Sequence, residues 1–229
     1  MWVRYSDVVV SNEVDRDGGD TSGYVPEGAV ARPYTGQLPA RVAIGGLIAC
    51  CVVDVLQIGV SLMIRASLQD GAYFDEHGMW SQLRAWELRS FLIFAPLVAL
   101  LFTAVPFLMW FSRAHAYASA KAPLIKGDPV LVWFIPLANL WMPFQRLRDV
   151  WKVITHEPGT IVVAWWFFWV ARAFVARATW TEVDTVESML DLQMLIVLAA
   201  LVDVVAAFLA ARIVIRIDAA ARGRSPTTF

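Results

Sequence analysis

Four stretches of this chain are apolar for about the length of one lipid crossing, and that feature limits its possible folds more than any other. They cover residues 42–64, 91–111, 161–178 and 192–215. A hydrocarbon layer of roughly 30 Å takes about 20 residues of α-helix, and a backbone inside it must satisfy its own N–H and C=O groups. Each stretch is therefore predicted to be a membrane-spanning helix. Composition points the same way, since 59% of the 229 residues are hydrophobic and 17% are charged, whereas soluble domains hold about 45–50% and about 25%. The expected fold class is an all-α integral membrane protein with four transmembrane helices, and its first partner is the lipid bilayer.

The segment between the second and third spans, residues 130–155, follows a different rule. From Val130 to Phe144 only Asn139 is strongly polar, yet Pro136 and Pro143 each remove a backbone donor and disturb the turn before them. The arm is too short to cross a bilayer comfortably, and a fifth span here would put the basic clusters on either side of it in opposite compartments. Beyond it Phe144, Leu147, Val150, Trp151 and Ile154 recur at helical spacing, with Gln145, Arg146, Arg148, Asp149 and Lys152 on the other face. This is the pattern of a helix lying in a headgroup layer, and Pro143 suits its first turn. The segment reads as a proline-broken re-entrant or interfacial element that turns near Asn139. A buried hairpin between spans is the alternative.

The ends and loops carry weaker signals. Residues 1–40 are rich in Asp, Glu, Gly and Pro and are expected to form a flexible acidic tail, with residues 217–229 as a second tail. Residues 65–89 are expected to be a loop. Its Asp75-Glu76-His77 is read as solvated, because adjacent loop residues rarely converge on one ion. The loop from 179 to 191 holds Glu182 and Asp184 but no Lys or Arg. Cys50 and Cys51 are neighbours on a helix and point apart, so no disulfide is expected. His115 has no second histidine at helical spacing and is expected on a helix surface. No cofactor is predicted. No basic low-complexity run or zinc-knuckle spacing calls for nucleic acid.

Basic residues close to span ends favour the cytoplasmic side. With four spans and a central element that returns, one side receives Arg32, Arg41, Arg113, Lys121, Lys126, Arg146, Arg148, Lys152, Arg212, Arg216, Arg222 and Arg224. The other receives Arg65, Arg84, Arg89 and Arg177. Both termini are therefore expected in the cytoplasm.

Function has fewer handles. Asp54 and Gln57 lie in the first span, Arg172 in the third and Asp203 in the fourth. A charge in lipid is costly, and such residues are functional candidates by default. Two carboxylates around one guanidinium leave a surplus negative charge that a proton can neutralise, which suits proton relay. The bland alternative is that Arg172, Gln57 and Ser61 hold the carboxylates as glue between helices. No spacing assembles a nucleophile with a base. The primary reading is a non-enzymatic scaffold or regulatory subunit acting through a protein partner or as a homo-oligomer. The alternative is a small transporter or proton-conducting unit built on Asp54, Arg172 and Asp203.

One resemblance adds to this. Trp133-Phe134, Pro136, Asn139-Leu140, Pro143-Phe144 and Trp151 resemble, in this order, a pattern that recurs in a bacterial membrane family catalogued as domain of unknown function 4328. Leu137 stands where that family often has a smaller residue. The resemblance spans residues 40–216 and implies a four-helix domain in the bacterial inner membrane. It implies no activity.

Overall fold

The computed structural model describes residues 34–69, 78–122, 124, 127–179 and 185–223, and for 78–93 and 136–137 the backbone alone. The tail as far as residue 33, Asp75-Glu76-His77, Glu182, Asp184 and the end from residue 224 lie outside the described residues. The elements are α1 (Gln37–Gln69), α2 (Gly78–Ser119), α3 (Pro136–Asn139), α4 (Met142–Thr155), α5 (Thr160–Ala178) and α6 (Val186–Ala221). A single 3-10 turn, Leu131–Trp133, precedes α3. The described residues are all helical or irregular. α1, α2 from Phe94 onward, α5 and α6 are each long and apolar enough to cross a membrane. The protein is thus an all-α, multi-pass membrane protein.

Three of the four spanning helices outlast the apolar runs that announce them, and α5, Thr160–Ala178, keeps to its own. α1 begins at Gln37, inside the expected tail, and the expected loop of residues 65–89 is helical at both ends. Hydropathy marks where lipid lies, whereas backbone hydrogen bonding continues into water through residues such as Leu83, Ala85, Glu87 and Leu88, which favour helix. α6 likewise starts early, at a capping box in which the Thr185 hydroxyl accepts from the Ser188 amide at 3.1 Å. Pro96 and Pro106 both lie within the continuous α2.

α1 packs between α2 and α6, and α6 between α1 and α5. Successive spans alternate in direction. Ala40 and Ala43 at the start of α1, Phe111 to Ala118 late in α2, Val162 early in α5 and Ile213 to Ala221 late in α6 share one buried cluster. At the far end Arg65 Nη1 donates to the Leu190 carbonyl at 2.8 Å, tying the end of α1 to the start of α6.

α4 caps the clustered end. Phe144, Leu147, Val150, Trp151 and Ile154 are buried against α2, α5 and α6. The apolar face that the sequence assigns to a headgroup layer is spent on protein instead. Periodicity gives the width of such a face and leaves open what covers it. The covering also reaches polar groups. Arg146 is only 3% exposed, with Nη1 donating to the Gly127 carbonyl at 3.1 Å. His115, expected on a surface, is buried beside Arg146 and Asp149 of α4. The chain leaves α4 through His156 and Gly159, both left-handed at φ 60° and 77°, a conformation that glycine adopts without strain. Glu157 in that turn pairs with Arg216 of α6 at 2.8 Å. Away from the cap the outer faces stay apolar, and Phe102, Phe167 and Phe174 are left for lipid to cover.

Candidate functional site

Because α6 lies between α1 and α5, charges near the middles of three spans come together. Arg172 Nε of α5 stands 2.6 Å from Asp203 Oδ1 of α6. Asp54 of α1 is 4% exposed and feels the charges of both, yet no ion pair to it occurs among the described residues. All three line one cavity of about 420 Å³. Two carboxylates and one guanidinium leave it one negative charge in excess. Charges here act over a dielectric far below that of water, where each interaction is several times stronger. Gln57 is half-buried and lies outside the lining. Ser61, two turns beyond Asp54, is fully buried, and its hydroxyl finds no hydrogen-bond partner. Three of the four polar residues singled out in the spans therefore share a site.

The second wall is aromatic and comes from the central segment. α2 and α5 flank a gap, and the 3-10 turn pushes Trp133 into it. Its ring centroid lies 5.9 and 6.3 Å from Phe107 and Phe111 of α2, and 6.4 and 6.0 Å from Trp165 and Trp169 of α5. Three of these contacts are edge-on, the arrangement in which a positive ring edge meets a negative face. Trp133, Phe134 and Asn139 all line the cavity, and Phe134 is 70% exposed besides. Trp133 Nε1 and Asn139 Oδ1 are buried without a hydrogen-bond partner. Such atoms are uncommon in folded proteins, and here both belong to residues of the cavity wall.

The rest of the motif works behind that wall. Pro143 is buried in the first turn of α4. Phe144 stacks on Trp166 at 6.0 Å, and Trp166 stacks on Trp169 at 4.9 Å. Trp151 fills the capped end, where a Cβ on Gly159 would come within 3.3 Å of its ring. Pro136, described by its backbone, opens α3. The motif therefore divides into residues that face the cavity and residues that hold them.

Sequence reasoning missed two features. On the α1–α2 side Cys50 Sγ lies 3.3 Å from Thr103 Oγ1, and that hydroxyl donates to the Ala99 carbonyl at 2.7 Å. A Cβ on Gly46 would sit 2.7 Å from Thr103 Oγ1, so the bare backbone of α1 permits the approach. Small residues in the first span hint at such a contact without naming its partner. The second feature lies at the capped end. The Tyr34 hydroxyl faces the Asp218 carboxylate and the Trp110 indole without reaching hydrogen-bond geometry. Burial, and then the charge of Asp218, push its phenol above the ordinary tyrosine value. Asp218 is itself paired with Arg222 one turn on. Nothing in the sequence connects Tyr34 with Asp218, because the 183 intervening positions carry no shared pattern.

Among the described residues no three His, Cys, Asp or Glu side chains stand close enough to hold a metal ion. No curated protein sequence matches the chain, and no solved structure does. A family described as "Domain of unknown function (DUF4328)" matches residues 84–219, more than half of the chain. The matched stretch includes the Trp133 wedge, α4, Arg172 and Asp203, and leaves out α1 with Asp54. By that match, and by the four-helix membrane architecture around it, the chain belongs to the DUF4328 family.

Proposed function

We propose that the protein is a small, non-enzymatic transport unit of the bacterial inner membrane, whose working parts are Asp54, Arg172 and Asp203. One observation carries this reading: the three charges, drawn from three different spans, line a single cavity within the membrane domain. A bilayer-embedded carboxylate without its own counter-ion is a natural carrier of a proton, because protonation removes the cost of its charge. Arg172 holds Asp203 in place and leaves Asp54 to exchange protons. Basic residues at the capped end, among them Arg148, Lys152, Arg212 and Arg216, support a cytoplasmic position for that end and for both termini.

The scaffold reading has its own support. The Arg172–Asp203 contact joins α5 directly to α6, as interhelical glue would, leaving a partner protein to supply the activity. Reconstitution separates the two. Purified protein in liposomes that enclose a pH-sensitive dye should dissipate an imposed pH gradient when inorganic or organic cations are supplied on the opposite side, and Asp54→Asn should slow it about tenfold or more. Proteoliposomes no leakier than empty ones with those cations present would sink the transport reading and return the protein to the scaffold class.

A further inference from the structure

We propose that the cavity takes an organic monocation with an apolar body and exchanges it for one proton at Asp54. This deepens the transport reading above and rests on it.

Charge sets the sign and the number. Arg172 is committed to Asp203 at 2.6 Å, so the uncompensated charge of the site is that of the Asp54 carboxylate. A single positive charge neutralises it. An anion would meet Asp54 at low dielectric, and a divalent ion would leave a positive excess as costly as the original negative one. With Asp54 protonated the cluster is neutral. When the cation arrives, the Asp54 O–H bond breaks, its proton leaves to water, and the carboxylate receives the guest. One positive charge enters as one departs.

The walls set the chemical class. Trp133, Trp165, Trp169 and Phe107 are among the residues that line the cavity, and Leu47 and Leu108 add aliphatic surface. Aromatic faces attract cations electrostatically, most strongly where water is excluded. A small inorganic cation needs a shell of about six oxygen ligands, which these walls do not provide. A sugar or another many-hydroxyl solute would surrender hydrogen bonds to water with too few replacements. The unpartnered Oδ1 of Asn139 offers one acceptor to a guest N–H or to a water carried with it. A volume of about 420 Å³ falls in the range of roughly 300–1,000 Å³ that encloses small organic ligands.

Two ions of the same shape and opposite charge test this. The purified full chain is titrated with tetraphenylphosphonium and, separately, with tetraphenylborate, while tryptophan fluorescence is followed. The cation should quench saturably and bind about tenfold or more tightly than the anion. In weakly buffered solution at acid pH a dye should register one proton released per cation bound. Asp54→Asn should weaken cation binding about tenfold or more, with anion binding unchanged or improved. Asp54→Glu should keep cation binding, which preserves the test if the asparagine variant fails to fold. Equal affinity for the two ions, or cation binding indifferent to Asp54, overturns the proposal. Proton flux in liposomes without cation preference overturns it too, while leaving the transport reading intact. Cation binding in detergent with no flux in liposomes leaves the site standing and removes transport.

Discussion

The capped end of the bundle and its middle are made from the same four spans and solve opposite problems. At the capped end Trp110, Phe111, Leu147, Val150, Trp151, Val162 and Ile213 are almost completely excluded from solvent, and α4 closes the space between the spans. In the middle, Ala206, Ala207 and Ala210 of α6 and Thr103 of α2 are the small residues, and a cavity remains. Lipid tails are as apolar as leucine, so spans in a membrane associate through close van der Waals fit rather than through escape from water. Concentrating that fit at one end allows the middle to stay open around Asp54, Arg172 and Asp203. Stability and chemistry are thus held at different heights of the same helices.

The largest test of this contrast compares one substitution from each region. Trp151→Ala should cost about 3–5 kcal/mol, as large-to-small changes in packed interiors do, read as a fall in the unfolding midpoint in detergent. Asp54→Asn removes no volume and leaves Arg172 with Asp203, so its cost should stay below about 1 kcal/mol. Equal losses would erase the distinction between the two regions.

A smaller effect probes the border of the middle. Gly46→Ala places a methyl group 2.7 Å from Thr103 Oγ1 and should cost about 1–3 kcal/mol through overpacking. Thr103→Ala in the same chain should restore most of it. Failure of that rescue would mean that α1 and α2 are held apart by something other than this contact.

The smallest effect belongs to the capped end and to alkaline pH. The Tyr34 phenol is raised in the folded protein, by burial first and by Asp218 second. Its contribution to stability is therefore complete below the ordinary tyrosine value of about 10 and is lost as pH climbs above that value. The unfolding midpoint of the native chain should fall more steeply between about pH 9 and 11 than that of Tyr34→Phe. Parallel curves would show that the hydroxyl is solvated when folded.

Much of this was legible in the chain. The four spans follow from the length of their apolar runs, and the Trp133 to Trp151 pattern marks the segment that wedges and caps. The buried charges Asp54, Arg172 and Asp203 stand out because polar residues within such runs are rare. Three things were not legible. α1 and α6 run past both ends of their apolar stretches, and α2 past the start of its own, because hydrogen bonding does not stop where apolarity does. Arg146 and His115 are buried because α4 lies over α2, a contact that no periodicity encodes. Thr103 belongs to the cavity only because Gly46 lets α2 approach.

By itself the sequence determined the solvent of each segment, since transfer free energy is a property of residues in a run and needs no neighbours. It therefore also determined that the chain is helical where it crosses lipid. Only the tertiary structure decided which charges meet, what covers the amphipathic face of α4 and where space remains. Those outcomes depend on the order of helices around the bundle, and on the one indole that fills the gap between α2 and α5.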